Sequence, residues 1–530
     1  MLTINLDPHS STPMYEQIYN YIKAEIKAGA LPFQYKLPST RSLAANLQIS
    51  RNTVDMSYAQ LVSEGYIEAI PKSGYYVAMV SDLMSLSPKQ PKTRKSPVKA
   101  QIPYQYDFSP FAIDINTFPY NTWQKLSKNC MNEYNNDLFL LGDNQGDENL
   151  RSAIGRYLHE SRGVNCSEDQ IIVGAGTDYL LQLLSQLFQF VKPKSNNIRN
   201  ITHSKEITNT DSNKNTITNS NKNTITNSNE ITITNSNEIT ITNSNEITIT
   251  NSNEITIAME NPTYKQAYKI FTGLHHSVIP ISLDQNGICM EPLYQSDANV
   301  VYVTPSHQYP LGIVMPIKRR MELLRWADQA SDRYIIEDDH DSEFRYKGKP
   351  IPSLQGIDSS GKVIYLGTFS RAVAPAIRVG YMVLPKKLLD LYNEHLYYYS
   401  STVSRVDQYI ITHFITDGYF ERHLNKLRKL YKAKHDLLVQ SLKIFRNKAV
   451  IEGENGGLHL VLRFQSKASE KELLQAAARK SVKIYGLSEH YIKTPDVLDS
   501  PSILIGYAKE AEENIPAGVQ ALYNALEDYL

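Results

Sequence analysis

The chain has 530 residues, enough for roughly three to four domains with apolar cores, which excludes a miniprotein held together by disulfides or a structural metal. Its 55 Lys and Arg residues balance its 55 Asp and Glu residues, so the net charge is zero and a uniformly basic nucleic-acid coat is excluded, although a local basic surface is not. Three cysteines without metal-ligand spacing predict a reduced, cytoplasmic protein: Cys130, Cys166 and Cys289. Neither a signal peptide nor an apolar run of about 20 residues is visible, so no membrane association is expected.

The first 80 residues are predicted to form one compact unit whose outer parts are a helix and a β-hairpin. Residues 13–29 carry apolar side chains at helical spacing and close with a glycine. Residues 66–78 hold two strand-like segments on either side of a Pro-Lys-Ser-Gly turn, which indicates a hairpin.

Between these two parts the sequence predicts two short helices. Ser39 can cap a helix over residues 40–47, and Ser50, after a tight turn, can cap a second helix over residues 51–64. Two helices joined in this way form a helix–turn–helix. The inward face of the second helix is expected at Val54, Tyr58, Leu61 and Val62.

This arrangement predicts contact with duplex DNA. The second helix of such a motif enters the major groove by its N-terminal end, where Arg51, Asn52 and Thr53 offer donors for phosphates and base edges. Arg41 is placed for the DNA backbone, and Lys72 at the hairpin tip can reach an adjacent groove. Each serine motif alone is an ordinary helix cap, but their order before a hairpin favours DNA binding. The predicted DNA-binding set also includes Ser39, Thr40 and Ser50.

Two segments have the composition of connections. Residues 81–105 contain four prolines and five Lys or Arg residues, which predicts an extended, solvated linker. At about residues 194–253 the chain is rich in Asn, Ser and Thr, and its later part repeats the unit ITNSNEIT. Each copy has too few apolar residues to offset the entropy of ordering, so a disordered loop insertion is predicted, with a small β-solenoid as the alternative.

From residue 106 to residue 530, short apolar runs alternate with helical stretches, which is typical of an α/β domain with a largely parallel sheet. Strands are predicted at QIIVGAG, NVVYVTP, YIIEDD and KVIYLGTF. In α/β sheets, ligands usually bind beyond the carboxyl ends of such strands.

The loops after these strands hold candidate ligand groups. Gly174 and Gly176 precede a helix whose free backbone amides favour a phosphate, although a plain strand–helix turn would look the same. Asp338 and Asp339 could bind a metal, pair with a cationic ring nitrogen, or simply cap the strand. A further loop combines two hydroxyls with two arginines, which is typical of an anion site: Thr368, Ser370, Arg371 and Arg378.

Residues 11–78 resemble the winged helix–turn–helix domain of GntR-type bacterial transcription regulators. The resemblance lies in PMYEQIYNYIKAEIKAG, LPSTRSLAANLQISRNTV and EGYIEAIPKSGYYVA. It implies that residues 1–80 bind double-stranded operator DNA, usually as a dimer.

The strand loops of residues 106–530, in their order and spacing, resemble the fold-type-I pyridoxal-phosphate (PLP) aminotransferases, and the full chain resembles the MocR-type subfamily of GntR regulators. This resemblance implies a winged helix–turn–helix domain joined to a fold-type-I α/β domain, a homodimer, and a small amine or amino acid as effector. It places the phosphate on Gly176, Thr177, Ser370 and Arg378. It also implies that Tyr264 stacks on the cofactor ring and that Asp338 pairs with the ring nitrogen.

Three positions depart from the family pattern. Arg371 occupies the position of the Schiff-base lysine, His340 replaces a tyrosine near the cofactor hydroxyl, and Lys509 replaces an arginine that grips a substrate carboxylate. A Schiff base needs a neutral amine, which a guanidinium with a pKa above about 12 cannot supply. We therefore expect no catalytic residue and no metal, an effector contact at Lys509, and PLP held noncovalently at a site that includes His340 and Arg371. The alternative is an empty pocket that serves only as a dimerisation scaffold.

The sequence thus predicts a transcription regulator whose aminotransferase-like domain serves for dimerisation and for sensing an effector or noncovalent PLP. The enzyme alternative, an active PLP-dependent aminotransferase with a DNA-binding appendage, is disfavoured by Arg371. A third hypothesis is that the protein is a diverging copy without a regulatory role. The intact DNA-binding motif argues against this hypothesis.

Overall fold

The computed structural model of the chain divides into two compact units, residues 1–101 and residues 102–530. It describes residues 4–79, 104–131, 133–191, 255–346, 348, 350–494 and 500–530, and within the insertion the backbone of residues 208–210, 214–220, 223–236 and 239–250. The predicted linker lies outside the described residues except for Tyr104 and Gln105.

The first unit contains three helices and a hairpin, as predicted. Its elements are α1 (Met14–Lys27), α2 (Thr40–Leu47), α3 (Arg51–Ser63), β1 (Ile67–Ile70) and β2 (Gly74–Val77). The two strands pair antiparallel from Ile67 opposite Val77 to Ile70 opposite Gly74. One small core joins all of these elements, with Ile18 and Ile22 of α1 and Val54 and Leu61 of α3 at its centre.

The predicted inward face of α3 needs one correction. Val62 is 36 % exposed, whereas Ser57 is fully buried and its hydroxyl donates to the carbonyl oxygen of Tyr15 at 2.6 Å. A helix advances about 100° per residue, so Val62 is turned away from the stripe that contains Val54, Tyr58 and Leu61. Ser57 lies on that stripe because its hydroxyl finds a backbone acceptor, a condition that apolar periodicity does not register.

The second unit is an α/β structure, as predicted. Its helices are α4 (Tyr120–Cys130), α5 (Glu148–Arg162), α6 (Thr177–Phe188), α7 (Lys265–Gly273), α8 (Met290–Gln295), α9 (Ile317–Asp328), α10 (Lys386–His395), α11 (Arg405–Thr416), α12 (Tyr419–Ser441), α13 (Glu470–Arg479) and α14 (Asn514–Leu526). Its strands are β3 (Tyr106–Asp107), β4 (Ile171–Gly174), β5 (Thr208–Thr210), β6 (Lys214–Ser220), β7 (Asn223–Ser236), β8 (Ile239–Thr250), β9 (Thr256–Asn261), β10 (Ser277–Asp284), β11 (Gly287–Ile288), β12 (Val300–Val303), β13 (Tyr334–Asp338), β14 (Val363–Thr368), β15 (Gly380–Val383), β16 (Ala449–Glu452), β17 (His459–Phe464), β18 (Val482–Lys483), β19 (Tyr485–Gly486) and β20 (Ser502–Gly506).

The main sheet has the strand order β11-β10-β9-β12-β13-β14-β15-β4. Strands β10, β9, β12, β13 and β14 run parallel, and β15 and β4 continue the sheet with antiparallel pairings. All four strands predicted from apolar runs belong to this sheet, as β4, β12, β13 and β14. Strands β12 and β13 are buried along their whole length, because helices cover both faces of a parallel sheet. A second sheet, β16-β17-β20-β19, packs in a separate core that includes residues of α12, α13 and α14.

The described parts of the insertion contain the strands β5 to β8. Strands β5 to β8 pair in parallel with one another and form a sheet separate from the main sheet. Asn223 pairs with Ile239 and Lys214 pairs with Glu230, an offset of 16 residues in both cases, so the chain returns beside itself after every two repeat units. Pairing at this offset agrees with the coil of the β-solenoid that the sequence left as the alternative, because identical units let each strand pair its backbone with the copies beside it. The disorder of the insertion stays a prediction.

Among the helices of the described residues, none has the length and apolar character needed to cross a membrane.

Candidate functional site

The candidate DNA surface lies at the N-terminal end of α3. Arg51 and Asn52 are exposed there, and the Arg51 Nε lies 3.3 Å from Asp55 Oδ2 one turn further along the helix. Both partners are largely solvated, so this pair contributes little to stability and leaves the guanidinium available to an external acceptor.

The predicted serines hold the helix ends. The Ser39 hydroxyl accepts from the Ser42 amide at 3.1 Å, and the Ser50 hydroxyl accepts from the Thr53 amide at 3.3 Å. The Ser39 hydroxyl keeps a proton that it can donate to a phosphate, whereas the Ser50 hydroxyl also lies 3.1 Å from Thr53 Oγ1, where either oxygen can be the donor. Thr40 is buried, which argues against a DNA contact through its side chain.

Two further exposed cations lie on other elements of the same unit. Arg41 is exposed in the first turn of α2, and Lys72 is exposed at the hairpin tip with φ of 63°. Neither has an ion-pair partner within the part of the chain that the structure describes. Exposed cations without an internal partner are the features with which proteins bind DNA phosphates.

In the second unit, the start of α6 forms one wall of the candidate cofactor site. Gly176 precedes the helix with φ of +83°, and a Cβ there would lie 3.0 Å from Arg378 Nη2. The same Arg378 nitrogen lies 3.1 Å from Asp178 Oδ2 in the first helical turn, which begins at half-buried Thr177. The free amides of this turn and the guanidinium above them therefore favour an anion in the same place.

Ser370 lies in the loop after β14. Its amide donates to Thr368 Oγ1 at 3.1 Å, and the two hydroxyl oxygens are 3.0 Å apart. This turn keeps the Ser370 hydroxyl in a loop that also carries Arg378. The hydroxyl and the guanidinium are both donors suited to a phosphate.

The opposite wall is formed by Asp338 at the end of β13. Asp338 is buried and its Oδ2 accepts from the hydroxyl of Tyr302 on β12. Burial raises the pKa of Asp338 to about 6, because desolvation disfavours the carboxylate more than the Tyr302 hydrogen bond favours it. A cationic group docked on this carboxylate would reverse that shift, which suits a protonated ring nitrogen.

Asp339 has a structural role instead. Its carboxylate forms a bidentate ion pair with Arg162, whose Nε and Nη2 each lie 2.8 Å from a carboxylate oxygen. Both side chains are 4 % exposed. Because these oxygens are taken by Arg162, Tyr365 and Ser342, Asp339 anchors the strand end and does not face a ligand.

Tyr264 stands between the two walls. Its ring meets the Tyr309 ring edge-on, with centroids 6.1 Å apart. Burial raises the pKa of Tyr264 to about 12, and the charges of Asp178, Asp338 and Arg371 also act on it. The structure therefore brings the predicted phosphate, ring-stacking and ring-nitrogen positions around one site.

Arg371 contacts two other segments of the second unit. Its Nη1 donates to the carbonyl oxygen of Pro110 at 3.0 Å, and its Nε lies 3.7 Å from Asp341 Oδ1. Asp341 has no exposed side-chain surface, and neither of its oxygens accepts a hydrogen bond from the described residues. Burial alone would raise the pKa of Asp341, but His340 and Arg371 lower it to about 2. A permanent cation at position 371 thus faces a permanent anion.

His340 is a neutral side chain in this setting. Burial lowers its pKa to about 4, even though Asp341 Oδ2 lies 3.4 Å from its Nε2. Its ring packs edge-on against Tyr309 at 5.0 Å. Neutral imidazole keeps one donor and one acceptor, so His340 can hydrogen-bond a ring hydroxyl without adding charge.

Lys509 is bound to the chain itself. Its Nζ lies 2.7 Å from Asp107 Oδ2, and Tyr485 donates to the other oxygen of that carboxylate at 2.9 Å. Asp107 and Pro110 belong to one short segment, so Lys509 and Arg371 both hold the same stretch of chain. Phe111 of this segment lies edge-on to Tyr485, with ring centroids 5.9 Å apart.

Sequence reasoning missed Asp341, Tyr302 and the segment that contains Asp107 and Pro110. Tyr302 carried a signal, because a tyrosine inside a fully apolar strand needs a partner for its hydroxyl. Asp341 and Asp107 carried none, since their roles depend on contacts distant in sequence.

The residues present suit the phosphate and the ring of PLP. A helix start with Gly176, Ser370 and Arg378 suits the phosphate, and Tyr264 and Asp338 suit the ring. They do not fit a covalent bond at position 371, because a guanidinium supplies no neutral amine. Within the described residues, no group of three or more His, Cys, Asp or Glu is arranged to hold a metal ion.

Comparison with known proteins gives matches in both units. Residues 14–77 match the family model "Bacterial regulatory proteins, gntR family", and residues 219–522 match "Aminotransferase class I and II". The chain is 35 % identical to the uncharacterized HTH-type transcriptional regulator YhdI of Bacillus subtilis, over 99 % of this chain and 98 % of the relative. It is 28 % identical to the probable rhizopine catabolism regulatory protein MocR of Rhizobium meliloti, over 98 % and 95 % of the two chains.

Solved structures show the same fold for the second unit. The multiple substrate aminotransferase of Thermococcus profundus superposes with a TM-score of 0.61 at 20 % identity, over 81 % of this chain and 92 % of that one. The Pyrococcus horikoshii kynurenine aminotransferase gives a TM-score of 0.60 at 22 % identity, over 80 % and 90 %.

Proposed function

The chain belongs to the MocR-type subfamily of GntR transcription regulators, and we propose that it binds a specific operator duplex as a homodimer and senses a small ligand in its aminotransferase-like unit. One observation carries the DNA part of this proposal. The N-terminal end of α3 presents Arg51 and Asn52 to solvent, with the uncompensated cations Arg41 and Lys72 on neighbouring elements.

Selection from a random duplex library with the full chain tests this part. We expect one enriched sequence that binds at least about 10³-fold more tightly than a shuffled duplex at physiological salt. Equal binding to enriched and shuffled duplexes over a salt series would reduce the interaction to nonspecific phosphate contact and contradict the proposal.

The homodimer is supported by an exposed apolar run that follows α4. Phe139, Leu140 and Leu141 are 66 %, 65 % and 92 % exposed. Exposing three consecutive large apolar side chains to water is unfavourable in free energy, and contact with a second copy of the chain would bury them. Two-fold symmetry would also pair two DNA readers on two half-sites. Light scattering at micromolar concentration should give a dimer, and Leu141→Asp should shift it toward monomer.

For the ligand, we propose reversible PLP, with an amine or amino acid as effector. Gly176, Thr177, Ser370 and Arg378 would hold the phosphate, Tyr264 and Asp338 the ring, and His340 the ring hydroxyl. When bound, PLP supplies an electrophilic aldehyde, which is why the effector class is an amine. An effector carboxylate would bind Lys509 by replacing Asp107 as its ion-pair partner.

Dialysis and mass spectrometry test the reversible binding. PLP should bind and then be removed completely by dialysis, both with and without prior borohydride treatment. A borohydride-stable adduct on the wild-type chain would contradict reversible binding, and no binding at all would favour the scaffold alternative.

A further inference from the structure

Helix α3 has one face in the core and one face in solvent. Val54, Ser57, Tyr58 and Leu61 are buried, whereas Arg51, Asn52, Met56, Ala59 and Gln60 are exposed. The solvent face is polar only at its ends. In its middle lies Met56, a large apolar side chain with 54 % of its surface exposed.

A single exposed apolar residue is ordinary on a protein surface, but the position of Met56 on α3 is specific. It lies one helical turn after Asn52, and residues four apart share a helix face. Arg51 is drawn toward Asp55 on the neighbouring edge, at 3.3 Å. The Gln60 amide, one turn further, donates to Glu64 Oε1 at 2.8 Å and is thereby held toward the helix end. The centre of the outward face is thus left to Met56 and Ala59.

In the major groove the apolar group on a base edge is the C5 methyl of thymine. We propose that Met56 packs against a thymine methyl and selects a T·A pair at one position of each half-site. This rests on the proposed entry of α3 into the major groove. A flexible thioether side chain suits such a contact, because it can adjust its rotamers to a methyl group.

The size of the effect follows from the group buried. Covering one methyl-sized group is worth about a fourfold change in affinity. Arg51 and Asn52 can supply hydrogen-bonded readout, so Met56 adds selectivity at a neighbouring base pair without being required for binding.

The test begins with the duplex selected by the full-length chain. Each thymine in one half-site, with its symmetry mate, is replaced in turn by deoxyuridine, which removes only the methyl group. At one position the wild-type chain should lose about fourfold in affinity per half-site. Met56→Ala should bind the thymine duplex more weakly by a similar factor and should be indifferent to deoxyuridine at that position.

Val62→Ala is the matched control, since Val62 is exposed on another side of the same helix. This variant should keep the full response to deoxyuridine. If wild type ignores deoxyuridine at every position, or Met56→Ala responds as wild type does, the inference fails while specific DNA binding stands. If selection yields no preferred duplex, it is the proposed DNA-binding function that fails.

Discussion

The two units of the chain use their cations in opposite ways. On the winged-helix surface, Arg41 and Lys72 have no ion-pair partner among the described residues, and Arg51 shares only a solvated pair with Asp55. In the candidate cofactor site, each of three predicted ligand cations pairs with a carboxylate of the chain: Arg371 with Asp341, Arg378 with Asp178 and Lys509 with Asp107.

Whether a cation already has an internal partner determines which anions it can bind. Uncompensated surface cations attract a polyanion and release counterions when it binds, which gives strong and salt-dependent association. Cations that already have internal partners attract a small anion only if it can displace or share those partners. The first region therefore suits DNA, and a ligand of the second region, as proposed above, would have to compete with three carboxylates.

The largest effect is expected from restoring an amine at position 371. Arg371→Lys introduces a side chain that can lose its proton when buried, which arginine cannot. With added PLP this variant should gain visible absorbance and a borohydride-stable adduct at residue 371, both absent from wild type. Transamination should stay poor, because His340 and Lys509 still differ from the family pattern.

Arg371→Gln serves as the control, since it removes the cation without supplying an amine. It should remain free of the adduct. A colourless Arg371→Lys variant would mean that the pocket no longer holds PLP, and the second region would then be a scaffold.

The next largest effect concerns stability. Arg162→Met leaves the buried carboxylate of Asp339 unpaired and should lower the free energy of unfolding by about 3–5 kcal/mol, whereas Arg51→Met on the DNA surface should change it by less than about 1 kcal/mol. Urea denaturation of the two variants measures both values. If both variants lost a similar free energy of unfolding, the buried Arg162–Asp339 pair would not differ in stability from the solvated Arg51–Asp55 pair.

The pH dependence of the same pair has a defined sign. Burial would raise the pKa of Asp339, but the charge of Arg162 lowers it below its ordinary value. The stabilisation from Asp339 is therefore complete above about pH 4 and is lost as the pH falls below that value. In Arg162→Met, the free energy of unfolding should therefore depend less on pH in this acidic range.

DNA affinity gives the third prediction. Arg51→Ala should weaken binding to the selected duplex by about 1–3 kcal/mol and relax specificity at one base pair, while Arg41→Ala should weaken all duplexes alike and reduce the salt slope by about 1. Titrations at several salt concentrations separate the two. Arg446→Ala, at an exposed arginine of the other unit, should leave both quantities unchanged. Wild-type binding by both Arg51→Ala and Arg41→Ala would show that α3 is not the recognition helix.

A smaller change, in phosphate affinity, should come from breaking the ion pair between Arg378 and Asp178. Asp178→Asn removes a negative charge 3.1 Å from Arg378, at the helix start where a phosphate would bind. Because the pair is partly solvated, it is worth about 0.2–1 kcal/mol, and phosphate affinity should rise by about fivefold at most. Isothermal titration with inorganic phosphate measures this, with Asp169→Asn as control. A decrease in affinity would show that Asp178 helps to position Arg378.

The local signals in the sequence were sufficient for most of the fold. Ser39 and Ser50 located the starts of α2 and α3, because side-chain caps depend on residues three positions apart. Apolar runs located the central strands, because buried parallel strands are apolar on both faces. The pairing of β5 to β8 could not be derived in this way, since it depends on several copies of the repeat lying side by side and not on the composition of one copy.

At the site, sequence reasoning gave positions but not partners. Arg371 could be recognised as unable to form a Schiff base from its chemistry alone. That it faces Asp341 and holds the carbonyl of Pro110 depends on segments up to 261 residues apart, which no local pattern encodes.

The smallest effect is expected from removing the insertion, which contains none of the predicted DNA-binding or cofactor-binding residues. Strands β5 to β8 pair only with one another, so deletion of residues 200–250 leaves every pairing of the main sheet in place. The entropy of closing a shorter loop changes slowly with its length, so the free energy of unfolding should shift by less than about 1 kcal/mol. Affinities for the selected duplex and for PLP should match wild type, as measured by the same titrations. A large fall in melting temperature would show that the solenoid supports the sheet, and a change confined to one ligand would assign the insertion to that ligand's unit.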